Sequence, residues 1–201
     1  MRLLLICGTL AERMSLILVD RARSLLKSHG ELRSQALADW GGSFTLPPSL
    51  VAYYQDLGPL DITIEGYGNP FFLPSMARLW EFQAGYRWDA LTNDRVHDWE
   101  DDWLVVGDHG GDPLIFSRKT SRILFAEHGA GSWDAFELFP DLLTMTCCLG
   151  AMGTVVVEAG ERFSDDGYIV PRFREKAEAA LADLLGSRNR ADAVLATFGW
   201  G

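Results

Sequence analysis

Cysteine is scarce in this sequence. Only Cys7, Cys147 and Cys148 occur among 201 residues. An odd count, with two cysteines adjacent in an apolar run, does not fit a disulfide framework. No second cysteine pair supplies a structural zinc site. We therefore interpret all three as reduced core residues of a cytoplasmic protein.

Positive charge is also scarce. Lys and Arg number 18 against 28 Asp and Glu, which gives a net charge of −10. Binding to nucleic acid or to an anionic membrane requires clustered basic side chains, so we expect neither as a partner. A basic protein partner would suit this charge, because opposite fields speed encounter. The alternative is that the acidity serves solubility alone.

Common catalytic motifs are missing. The chain has no dinucleotide-binding G-x-G-x-x-G after a strand, no P-loop, no H-E-x-x-H and no G-x-S-x-G elbow. We accordingly expect a protein that is not an enzyme and has no cofactor or metal. The apolar run at 3–11 is too short to span a bilayer. We interpret it as a helix or strand of the fold, with a signal peptide as the alternative.

What is present fits one folded domain over 1–201. Hydrophobic residues make up 48% and charged residues 23% of the chain, which is typical of globular proteins. Apolar periodicity predicts helices at 12–28, 31–39, 46–57, 74–84, 134–152 (capped by Ser132 or Asp134), 171–185 and 190–198. Alternation predicts strands at 61–65, 103–107, 113–116 and 122–127. This order predicts an α+β fold, an antiparallel β-meander sheet packed against several helices.

An acidic segment with interleaved tryptophan stands out at 88–116. It holds eight acids and one base, Arg95, so it carries −7 of the total −10. Tryptophan is frequent in interface hot spots. We therefore predict a docking surface for a cationic partner, against the alternative of a solvated loop. Its central residues are Asp98, Trp99, Glu100, Asp101, Asp102 and Trp103, with Trp99 and Trp103 as the apolar anchors.

A Gly/Asp-rich turn follows at 108–112. Asp108, His109 and Asp112 are predicted to lie beside the docking surface and to contact the partner. Asp and Gly are favoured in tight turns on conformational grounds alone. A second hypothesis adds His128 and makes the turn a metal-binding or acid–base site.

Three segments together resemble the SUKH superfamily, the group related to a fungal regulator of cell-wall synthesis. The first is the Leu-Pro-Pro-Ser opening and aromatic face of 46–58. The second is the strand, Gly/Asp-rich turn and strand of 103–116, which is the specific one. The third runs from 123 to 143 and resembles the family's third strand and closing helix. Ser117 departs from the family pattern, which often has Asp after the second strand.

The resemblance implies a binding scaffold with its core at about 46–145, a helical segment at 1–45 and a helical extension at 150–201. Bacterial members are often immunity proteins that neutralise toxins, many of them nucleases, and nuclease domains are commonly basic. The family has no catalytic constellation to carry over. A regulatory adaptor on the same fold is the alternative. The oligomeric state is not predicted.

Overall fold

A computed structural model describes residues 10–201. Its α-helices are α1 (Leu10–Leu26), α2 (Pro48–Asp56), α3 (Met76–Leu79), α4 (Leu142–Ala159), α5 (Pro171–Leu185) and α6 (Arg188–Thr197). Its strands are β1 (Ile62–Ile64), β2 (Phe71–Leu73), β3 (Trp103–His109), β4 (Asp112–Ser117), β5 (Ile123–Phe125), β6 (Phe136–Phe139), β7 (Ser164–Asp165) and β8 (Tyr168–Ile169). Cys7 and most of the apolar run at 3–11 lie outside the described residues.

The first six strands form one antiparallel sheet in sequence order, from β1 to β6. The central hairpin pairs Trp103 with Ser117 and His109 with Asp112. Strands β7 and β8 form a separate two-stranded sheet. The prediction of an α+β fold with a meander sheet is confirmed.

Helix α4 forms the centre of the main core. It begins after Asp141, whose carboxylate accepts a hydrogen bond from the Thr144 amide at 2.8 Å. The apolar stretch Leu142–Arg162 is long enough to cross a membrane, but 72% of its apolar window is buried inside the fold. That burial is typical of the core helix of a soluble protein. Cys147 and Cys148 lie on this helix as buried free thiols.

Both ends of the described chain pack on the same core. Ala22 and Leu26 of α1 are buried in it. Trp200 is fully buried as well, and its ring centroid lies 5.1 Å from that of Phe163. The predicted helices at 12–28, 46–57, 171–185 and 190–198 are confirmed with small shifts of their ends.

Three helix predictions differ from the structure. The helix predicted over 74–84 is divided into α3 and a 3₁₀ turn at Glu81–Gln83. Residues 136–139 form β6 rather than the start of a helix, because Pro140 would have interrupted a helix over 134–152. Residues 31–39 contain only a short 3₁₀ turn, Leu37–Asp39. Before that turn the chain is extended, and the backbone N–H of Gln35 donates to the backbone carbonyl of Tyr54 at 3.0 Å. The short strands β2, β7 and β8 were not predicted.

Candidate functional site

The sheet buries a different set of side chains on each face. Leu104 and Val106 of β3 belong to the main core, whereas Val105 between them belongs to a smaller cluster on the opposite face. This follows from the alternation of side chains along a strand. The buried members of the smaller cluster are Trp99, Val105, Ile115 and Ala126, and residues including Phe82, Tyr86, Trp103 and Trp133 pack against them. The acidic segment therefore covers the second face of the sheet.

Trp99 is part of this cluster and is not an exposed anchor. Only 2% of its surface is exposed. Its ring packs edge-on against Trp103 at 5.3 Å and against Trp133 at 5.5 Å. The prediction that Trp99 contacts a partner is therefore corrected, because the cluster already occupies its surface. Trp103 is half-buried by the same packing.

Asp102 is also buried and bound within the chain. Its carboxylate accepts hydrogen bonds from Ser117 Oγ and Lys119 Nζ, both at 2.9 Å. Burial opposes the charge of Asp102, but the bonds from Lys119 and Ser117 outweigh it and hold the pKa below its ordinary value. Asp102 therefore joins β4 to the segment before β3, and it is corrected as a partner contact.

Asp101 is exposed but is paired with bases. Its carboxylate lies 2.9 Å from Arg95 Nη1 and 3.6 Å from Arg87 Nη2. Extending the acidic segment to 87–119 adds three bases and no acid, which leaves eight acids against four bases, or −4. The strong local field inferred from 88–116 is therefore reduced by bases that flank it. Asp98 and Glu100 are the exposed acids of the predicted central stretch that lie outside these ion pairs.

Residues 88–95 form a small ordered hairpin, called the 88–95 hairpin below. Trp88 pairs with Arg95, and the Asp89 amide donates to the Asp94 carbonyl at 2.8 Å. The Asp89 carboxylate accepts hydrogen bonds from the backbone amides of Leu91, at 2.8 Å, and Thr92, at 2.9 Å. These backbone hydrogen bonds lower the pKa of Asp89. At the tip, Leu91 is 93% exposed.

The 108–112 turn places the side chains of Asp108 and His109 on opposite faces of the sheet. Gly110 and Gly111 form a two-residue connection with φ of 63° and 101°, which glycine adopts readily. Asp108 faces Tyr86, whose hydroxyl lies 3.3 Å from its carboxylate. Burial raises the pKa of Asp108. His109 faces the main core, where its ring stacks on Phe71 at 4.7 Å.

This arrangement does not gather the turn into a metal-binding group. The alternation of β3 separates Asp108 from His109, and His109 is buried. Asp112 instead accepts from the His128 amide and lies 2.6 Å from His128 Nδ1. Among the residues that the structure describes, no group of three or more His, Cys, Asp or Glu side chains could hold a metal ion.

Two cavities were not foreseen from the sequence. One, of about 430 Å³, has Trp80 and Trp88 in its wall together with arginine side chains. The other, also about 430 Å³, is an apolar groove between α1 and α2, with Leu18 and Tyr53 in its wall. Beside this groove, α1 exposes Leu16 and Ile17. The apolar groove combines residues from distant parts of the chain, which no local motif indicates. The tryptophan cavity is lined by residues within 80–95, but no regular period there predicts that they share a cavity.

Comparison with known proteins adds no relative. No protein-family model, curated protein or solved structure matches the chain. The assignment of function therefore depends on the geometry described above and on the resemblance of the three segments.

Proposed function

We propose that this chain is a non-catalytic protein-binding module of the immunity type, and that it binds its partner through the 88–95 hairpin and the exposed acids beside it. The observation that carries the proposal is the position of Leu91. Leu91 is 93% exposed at the tip of an ordered hairpin, so an apolar pocket of another protein can remove its side chain from water.

The hairpin is prepared for such an insertion. Burying a leucine side chain contributes about 2 kcal/mol. The hydrogen bonds from the Leu91 and Thr92 amides to Asp89 hold the tip in one conformation before any partner arrives. Less conformational entropy is then lost on binding, which leaves more of the burial energy as affinity.

Charge around the tip favours a basic partner. Asp94, Asp98 and Glu100 are exposed along the same segment. Exposed acids of this kind steer a cationic surface toward the site and raise the rate of association. Asp101 and Asp102, which are paired within the chain, orient the segment instead.

The immunity role is supported by the resemblance to the SUKH superfamily. Its specific segment, the strand, Gly/Asp-rich turn and strand, corresponds to the β3–β4 hairpin. In this role the protein binds a basic toxin domain, which the resemblance suggests is a nuclease, and blocks its active surface. The mechanism is steric and electrostatic, and it uses no catalytic side chain.

The experiment is affinity capture from the native cell lysate at low and at high salt, read by mass spectrometry. The wild-type chain is compared with an Asp94→Asn/Glu100→Gln variant. We expect a specific basic protein that is released as salt rises and is captured less by the variant. Co-expression of the chain with that protein should relieve its toxicity. Capture that is equal for the variant, or a captured protein that is harmless to cells, would contradict the proposal.

A further inference from the structure

The tryptophan cavity beside the 88–95 hairpin has the composition of a ligand site. Its volume is about 430 Å³, and it is lined by Trp80, Arg87, Trp88, Asn93 and Arg95. Small-molecule sites in proteins commonly measure 300–1,000 Å³ and combine aromatic walls with a few convergent polar groups. Trp88, Asn93 and Arg95 belong to the 88–95 hairpin, so this site adjoins the interface proposed above, whereas Leu91 at the tip does not line it.

The aromatic wall is rigid. The rings of Trp80 and Trp88 lie with centroids 4.8 Å apart and an interplanar angle of 49°. Trp80 is supported from behind by Trp40 at 5.5 Å and by Phe44 at 5.7 Å. Both indole rings are only half-buried, so they can still accept a planar ring by stacking.

The cationic wall is oriented by the backbone. Arg87 Nη1 donates to two main-chain carbonyl oxygens, each at 3.1 Å, and Arg95 Nη2 donates to a third at 3.2 Å. The two guanidinium groups share one carboxylate, that of Asp101. Burial, followed by the nearby charge of Arg118, lowers the pKa of Arg87, and the charge of Asp101 opposes that shift.

We propose that this cavity binds a heteroaromatic base that is joined through a sugar to one phosphate, which is the chemistry of a nucleoside monophosphate. The ring stacks on the tryptophan wall, and the phosphate takes the place of Asp101 beside Arg95. Arginine pairs with phosphate in a planar, bidentate geometry that a point charge cannot match. The carboxamide of Asn93 can donate to and accept from the edge of the ring. A net charge of −10 disfavours a polyanion at the same place.

Isothermal titration of the full chain tests this, with AMP, GMP, CMP and UMP, the corresponding nucleosides and inorganic phosphate as probes. We expect at least one nucleotide to bind with 1:1 stoichiometry, about tenfold more tightly than its nucleoside or than phosphate. Arg95→Gln should reduce nucleotide affinity about tenfold and leave nucleoside affinity unchanged. Arg122→Gln is the matched control, since Arg122 is an exposed arginine paired with Glu137 away from the cavity.

Two further variants keep the test decisive if Arg95→Gln is poorly folded. Asp101→Asn removes the internal competitor and should tighten nucleotide binding. Trp88→Leu should weaken the binding of nucleotide and nucleoside alike. The proposal is overturned if none of the four nucleotides binds, or if Arg95→Gln and Arg122→Gln have equal affinity while Asp101→Asn brings no gain.

Discussion

The Asp101 carboxylate lies 2.9 Å from the Arg95 guanidinium. The base that seemed isolated within an acidic stretch is therefore paired with one of its acids. Because both groups are largely exposed, the ion pair contributes little stability, about 0–1 kcal/mol. Its consequence is geometric, because it fixes one side of the 88–95 hairpin relative to the residues before β3.

The order of the 88–95 hairpin depends on Asp89. Replacing Asp89 with Ala removes the acceptor for the Leu91 and Thr92 amides. We expect faster hydrogen exchange at these two amides and no change in the central strands, measured by NMR or mass spectrometry. Asp39→Ala serves as a control on an exposed turn elsewhere. Unchanged exchange at Leu91 and Thr92 would show that the carboxylate does not order the tip.

Gly153 allows α4 to lie close to β1 and to His29, which follows α1. A β-carbon at Gly153 would lie 2.3 Å from Ile64 Cγ2 and 2.9 Å from His29 Cε1. Alanine is ordinarily about 1 kcal/mol better than glycine within a helix. Here we expect the opposite sign, a loss of about 1–3 kcal/mol in the free energy of unfolding, because overpacking forces the core apart.

Chemical denaturation of Gly153→Ala measures this loss. Val157→Ala is the control, because Val157 is exposed on the same helix. The control should change the free energy of unfolding by less than about 0.5 kcal/mol. A Gly153→Ala protein as stable as the wild type would mean that α4 does not pack as described.

Tyr53 and Thr146 form a buried hydroxyl pair. Thr146 Oγ1 donates to the Leu142 carbonyl at 2.8 Å, so it accepts from the Tyr53 hydroxyl, 3.0 Å away. Thr146→Val should cost about 1–3 kcal/mol, because it leaves a buried hydroxyl without its partner. Tyr53→Phe in the same chain should recover part of that loss. A double-mutant cycle with zero coupling between the two changes would contradict the pairing.

Stability should fall in mild acid because of His109. Burial in the aromatic core lowers the pKa of His109 from 6.5, against the opposing charge of Asp112. The unfolded chain then binds a proton more readily than the folded chain below pH 6.5, so the free energy of unfolding falls as the pH is lowered from there. The slope approaches about 1.4 kcal/mol per pH unit for each such histidine.

His29 contributes in the same direction, because burial also lowers its pKa. Denaturation of the wild type, His109→Gln and His29→Gln between pH 7.5 and 5 would measure the effect. Each variant should show a shallower dependence on pH than the wild type. If the free energy of unfolding depends on pH equally in all three proteins, the fold does not hinder protonation of either imidazole.

Local patterns in the sequence predicted the elements that depend on local chemistry. The β3–β4 hairpin was predicted because glycine pairs and alternation mark a tight antiparallel turn. Of the helix predicted over 134–152, the part from Leu142 onward is confirmed as α4, whereas Pro140 ends the strand before it and Asp141 caps the helix.

The candidate site was less predictable, because its properties depend on tertiary contacts. Arg87 and Lys119 lie just outside 88–116, yet they pair with Asp101 and Asp102 within it, which a charge count over that segment does not include. In an irregular segment no period distinguishes a buried tryptophan from an exposed one, so the sequence does not predict the burial of Trp99. Leu91, a single leucine in a polar loop, carries no motif at all.

The most direct test of the proposed function measures the affinity of the captured partner for purified variants by surface plasmon resonance. Leu91→Ser removes the exposed apolar tip, and Leu16→Ser removes a leucine of α1 that is 59% exposed. We predict that Leu91→Ser weakens binding about tenfold or more, whereas Leu16→Ser binds as the wild type does. Unchanged affinity for Leu91→Ser, with loss for Leu16→Ser, would contradict the account and place the interface on α1.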